Sequence, residues 1–292
     1  MNVIDLGTGA PVVVVPGVQG RWEWMKPGID ALAHRCRVIT FSLCDEPRSG
    51  GRFDPSIGFG CYVEQIGEAL DSAGIESAAI CGVSYGGLIA AAFAARHPRR
   101  VQSLVLISAL PPSWRPDARI RLYLRAPRLL APLFWARAPL TMYPEIAAAI
   151  PDVWERSRTT AAHGWRVLTH PTAPLRMSRR VHLLADEDMT AEIGRITAPT
   201  LVMTGDPRLD RVVPARATLE YAQLIPHATA VRLERCGHIG FVTRPEALAD
   251  VVAPFVERHD GGSDRARLTS VHGAAEERVL LDPPNHCAGL AG

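Results

Sequence analysis

Short apolar runs alternate with helix-length stretches along most of this chain, and that alternation constrains the fold more than any other feature. The runs are Val12–Val15, Arg37–Ser42, Ser77–Cys81, Val101–Ser108, Thr200–Thr204 and Ala228–Leu233. Three of the six stop at glycine or proline, at Pro16-Gly17, Gly82 and Gly205. Runs of this length with apolar side chains on both faces fit strands of a buried parallel sheet. Between them, Phe59–Ala73, Tyr85–Arg96, Pro214–Ile225 and Pro245–Glu257 have the spacing or proline starts of helices. Pro254 is expected to disturb the end of the last one. Strands alternating with helices give an α/β fold with helices on both faces of the sheet.

The rhythm breaks from Pro111 to about Met189. This segment holds Trp114, Trp135, Trp154 and Trp165 and has no clear strand. Up to Arg180 it carries twelve arginines against four acidic residues. It reads as a helical insertion whose aromatics form its own packing core and whose arginines form a solvated face. The chain therefore divides into a core of residues 1–110 and 190–258, the insertion 111–189, and a Gly, Asp, Ser and Pro-rich disordered tail, 259–292.

The whole chain of 292 residues is nearly balanced, with 32 basic and 30 acidic side chains. That balance predicts no general attraction to nucleic acid or anionic membrane. No run approaches the length of a membrane span, and the N-terminus has no signal-peptide pattern. Six cysteines without a C-x-x-C pair exclude zinc ribbons and thioredoxin-like sites. They read as buried, reduced thiols of a cytoplasmic protein.

The sharpest local motif is Gly82-Val83-Ser84-Tyr85-Gly86, which fits the G-x-S-x-G nucleophile elbow between a strand and a helix. A serine on such a turn needs small neighbours, and it needs a base to be nucleophilic. Of ten histidines, His238 stands apart. It follows the last strand and lies between Gly237 and Gly240, at the edge where α/β sheets build sites. The base needs an orienting carboxylate. The segment Gly205–Pro214 offers Asp206 and Asp210. Asp206 precedes Pro207 and fits a turn-forming role, which favours Asp210. Backbone N–H groups of Val18, in the loop Pro16–Gly20, and of Tyr85 are the candidate oxyanion donors.

Together these four places resemble the α/β-hydrolase superfamily over roughly residues 3–258. The resemblance implies an α/β-hydrolase fold: a mostly parallel twisted sheet flanked by helices, with the insertion as a helical cap. It implies catalytic Ser84, Asp210 and His238, with no metal or organic cofactor. Serine at position 84 argues against the epoxide- and halide-cleaving members, which use aspartate. The expected chemistry is cleavage of a carboxylic ester, thioester or amide of a small, largely hydrophobic substrate. Acyl transfer, a lyase or a carbon–carbon hydrolase could use the same residues, and a catalytically silent receptor is the different-class reading. The oxyanion loop has Pro16-Gly17 where many members have His-Gly. The amino-terminal part is short, as if the first strands of the usual sheet were missing.

Overall fold

A computed structural model describes residues 1–185 and 189–261. The anticipated tail therefore lies almost wholly outside the described residues, as does Cys287.

Seven strands form one sheet: β1 (Ile4–Leu6), β2 (Pro11–Val15), β3 (Arg37–Thr40), β4 (Ala78–Val83), β5 (Val101–Ile107), β6 (Thr200–Thr204) and β7 (Ala228–Arg232). Their spatial order is β1-β3-β2-β4-β5-β6-β7. Every neighbouring pair is parallel except β1 against β3. The antiparallel edge strand β1 was not visible as an apolar run, because Asp5 interrupts it.

Alternation along the strands divides the interior into two cores. Val13, Val15, Ile39, Ile80, Leu104 and Val202 face α2 (Gly60–Ser72) and α3 (Tyr85–Arg96). Val12, Val14, Val38, Cys81, Val105 and Met203 face α1 (Lys26–Ala33) and α12 (Pro245–Arg258). Because both faces are covered, the strands read as continuous apolar runs and not as alternating ones. Each such side chain, fully buried, contributes about 1.5–3 kcal/mol. Helix α3 is built of Gly86, Gly87, Ala90, Ala91, Ala92 and Ala94, so its backbone can lie close to the sheet.

Two expectations need correction. The helix anticipated over Pro214–Ile225 is two short ones, α9 (Ala215–Thr218) and α10 (Glu220–Leu224), separated at Leu219. Pro254 does not end α12, which continues to Arg258.

Between β5 and β6 the chain leaves the sheet for four helices, α4 (Ala118–Arg125), α5 (Pro127–Ala149), α6 (Val153–Thr169) and α7 (Pro174–Ala185), before the short α8 (Thr190–Ile193) returns it. Asp117 and Asp152 cap α4 and α6 by accepting N–H bonds from Ile120 and Glu155, both at 2.7 Å. The aromatics of this segment do not form one packing core. Trp135 packs edge-on against Trp24 at 5.9 Å, but Trp154 and Trp165 are exposed. No described helix is long and apolar enough to cross a membrane.

Candidate active site

Parallel strands deliver their carboxyl ends to one edge of the sheet, and every sequence-selected residue lies just past such an end. Val15 and Gly82 are register partners, so the loop after β2 and the turn after β4 lie side by side. Val202 and Ala230 are partners likewise, which sets the loops after β6 and β7 next to each other.

Ser84 lies between β4 and α3 with φ 56° and ψ −117°. A non-glycine residue there stores strain, about 1–3 kcal/mol, that the surroundings must hold. They do so through three backbone bonds. The Ser84 N–H donates to Ile107 O at 3.0 Å, and Ser84 O accepts from Gly87 at 3.0 Å and Leu110 at 3.1 Å. The flanking glycines are required by space. A Cβ on Gly86 would strike the Val15 and Pro16 carbonyls, and one on Gly82 would strike the backbone of Gly86 and Gly87.

His238 Nε2 lies 3.1 Å from Ser84 Oγ, and its Nδ1 lies 3.4 Å from Asp210 Oδ2. With the proton on Nδ1, Nε2 is left to accept the serine hydroxyl. The Nδ1–Asp210 separation is long for a hydrogen bond, as contacts in substrate-free sites often are. Asp210 is buried, and its other oxygen accepts N–H bonds from Val212 at 3.0 Å and Val213 at 2.9 Å. Burial pushes its carboxyl up, but the hydrogen bond and charge of His238 and those two N–H groups outweigh burial and hold it below the usual range. Asp206 does not reach His238. Its Oδ1 accepts the Arg208 N–H at 2.8 Å, closing a local turn.

The Val18 and Tyr85 N–H groups have no protein acceptor among the described residues. Two free donors beside the serine can hold a developing oxyanion. The loop bearing Val18 is pinned from behind by Arg180 of α7, whose Nη1 donates to Val18 O at 2.7 Å. The fully buried Arg180 guanidinium also bonds Asp45 and Glu46, the latter at 2.6 Å. Tyr85 Oη donates to the Arg180 carbonyl at 3.2 Å.

Sequence reasoning missed Glu145. It comes from α5, is buried, and accepts the Ile239 N–H at 3.0 and 3.1 Å, directly beside His238. Thr243 Oγ1 also donates to it, at 3.4 Å, so the carboxylate braces the chain just after the histidine. A Cβ on Gly237 would lie 2.6 Å from Glu145 Oε2, which explains glycine there. Burial pushes the Glu145 carboxyl up, against the opposing pull of backbone N–H groups and His238. A signal existed: Glu145 is the lone acidic residue in α5, whose other charged side chains are Arg128 and Arg137. Nearby Cys236 is no rival nucleophile. Burial, with Glu145 and Asp210 close by, pushes its thiol up to about 12. No cluster of metal-ligating side chains occurs among the described residues.

A model of the alpha/beta hydrolase family matches residues 12–251. The chain belongs to that family. The alpha/beta hydrolase chain is 30% identical over 244 residues to the Agrobacterium fabrum protein named "Putative carbamate hydrolase RutD", covering 81% of this chain and 89% of that one. It is 24% identical over 271 residues to the pimeloyl-(acyl-carrier protein) methyl ester esterase of Aliivibrio salmonicida, covering 87% and 95%. Among solved structures, the enol-lactonase from Burkholderia xenovorans superposes with a TM-score of 0.71 at 21% identity, covering 87% of this chain and 95% of that one. At that identity the likeness speaks for the fold. Family membership and these relatives make the chain an enzyme of the hydrolase class.

Proposed function

We propose that this chain is a serine hydrolase that cleaves a carboxylic ester, or a thioester or amide, of a small and largely apolar substrate. The observation that carries the reading is the relay Ser84 Oγ, His238, Asp210, with its 3.1 Å serine–imidazole contact on a strained turn. A strained, nearly buried serine facing an imidazole that itself faces a buried carboxylate supports a catalytic role.

The reaction proceeds in two steps. His238 Nε2 takes the Ser84 proton as Oγ attacks the substrate carbonyl. The Val18 and Tyr85 N–H groups hold the oxyanion, and Asp210 stabilises the imidazolium. The imidazolium then gives its proton to the leaving group, and the tetrahedral species collapses to an acyl-enzyme. Water, deprotonated by His238, attacks that ester and releases the acid and free Ser84. Residues 111–189 act as a cap over this edge of the sheet, with Trp135 of the cap packed against Trp24 of the core. The relatives support the bond class, since one is named for a methyl ester and another for a carbamate.

A fluorophosphonate probe tests the reading against a silent receptor. Stoichiometric labelling that maps to Ser84, with loss of activity on a panel of chromogenic esters of rising chain length, is the expected result. Failure to label folded protein would remove the acyl-enzyme mechanism.

A further inference from the structure

Helices α5 and α6 carry an outer face unlike the rest of the surface. On α6, Trp154, Ala161, Trp165 and Leu168 recur at helical spacing and are all exposed, Trp154 at 85% and Trp165 at 67%. On α5, Leu129, Leu133, Leu140 and Tyr143 form the same kind of stripe. Outside residues 122–175, only Ile57 and Val212 among the described residues are large apolar side chains left this open. The stripes are not misplaced inner faces. His163 of α6 and Trp135 of α5 already turn inward onto Trp24, at 6.3 and 5.9 Å, and Glu145 is buried at the His238 loop. Both helices are thus docked through one side while their apolar side faces out, against the usual pattern for a helix at a protein–water boundary.

Charge distinguishes the same region. Arg119, Arg121, Arg125, Arg128, Arg137 and Arg158 are exposed, and none pairs with a carboxylate among the described residues. Residues 111–180 as a whole hold twelve arginines against four acidic residues. The even charge of the whole chain hides this local excess of cations.

We propose that the outer face of α5 and α6 docks on an anionic lipid bilayer, lying in the interface without crossing it. Tryptophan side chains favour the headgroup level. Apolar stripes flanked by arginine are the pattern of helices that lie in the interfacial plane, and unpaired cations are drawn to anionic headgroups. Charge also argues against a second copy as the occupant. A twofold contact through this face would set the same unpaired arginines against one another.

The test is co-sedimentation of the full chain with vesicles of phosphatidylcholine alone and of phosphatidylcholine mixed with phosphatidylglycerol. The parent should bind the anionic vesicles roughly tenfold better than the neutral ones, and high salt should weaken that binding. The double variant Trp154→Ser, Trp165→Ser should lose at least about tenfold of the binding, while hydrolysing a small soluble ester like the parent. Both substitutions are at exposed positions, so folding is not at stake. Absence of vesicle binding, equal binding by parent and variant, or burial of these tryptophans in a dimer that ignores lipid would each overturn the proposal.

Discussion

The sheet and the inserted helices solve the problem of apolar side chains in opposite ways. In the sheet, β4 buries all six of its residues, and helices cover both faces. In the insertion, α5 is apolar around most of its circumference yet buries only Glu145 and Ala149 fully. Positive charge is concentrated in the insertion as well, with twelve arginines against four acidic residues over 111–180. The difference teaches a division of labour. The core holds the groups proposed for chemistry on short, rigid strand ends, where packing fixes geometry. The insertion touches that geometry at few points, chiefly Glu145 on the His238 loop and Arg180 on the loop bearing Val18, and leaves large apolar side chains exposed elsewhere.

Removing the core's proposed nucleophile should produce the largest effect. Ser84→Ala is expected to cut kcat by a factor on the order of 10⁶, as in other serine triads, with thermal unfolding unchanged or slightly improved by relief of its strain. Activity retained above about one part in 10³ would contradict an acyl-enzyme route.

The carboxylate pair in the β6 loop comes next. Asp210→Asn should lower turnover by roughly 10⁴-fold, because the imidazole loses the partner that sets its tautomer. Asp206→Asn should stay within about tenfold of the parent, since its bond to Arg208 serves only the turn. Steady-state kinetics on one substrate distinguish the two, and a dead Asp206→Asn would reverse the assignment.

Glu145→Ala asks whether the insertion controls the core. It strips the acceptor from the Ile239 N–H beside His238. A misplaced base should cost about 10²-fold in kcat, with reaction of the fluorophosphonate probe slowed in parallel. Glu145→Gln keeps one oxygen and should recover part of the loss. Equal activity in all three proteins would mean that the loop holds its shape without the insertion.

The smallest effect, and the subtlest comparison, is the pH dependence of stability. Asp210, from the core, has its folded-state pKa depressed. The stability it adds is complete above its unfolded pKa and is lost as pH falls through the lower folded value. Glu145, from the insertion, has its folded-state pKa raised. Its contribution is complete below the unfolded pKa and is lost as pH rises through the higher folded value. Denaturant midpoints against pH should therefore shift in opposite senses for Asp210→Asn and Glu145→Gln. Shifts of the same sign would show that one of these two environments is misjudged.

The sequence by itself determined the parallel sheet, because strands buried on both faces must be apolar throughout, and that leaves a local trace. It also determined the elbow, since Gly82 and Gly86 answer to atoms only a few residues away or in the next strand. The strand ends pointed to Ser84, Asp210 and His238 for the same reason: each lies in the turn or loop that follows a legible run. Tertiary structure decided what no window could contain. Glu145 reaches across 94 residues to Ile239, and Arg180 across 162 to Val18. Periodicity shows that a helix has an apolar side but not whether a neighbour covers it. Trp135 and Trp154 look alike in sequence, yet one packs on Trp24 while the other faces out. Which side of a helix is inside is settled by the long-range packing of the whole chain, and local pattern carries no record of it.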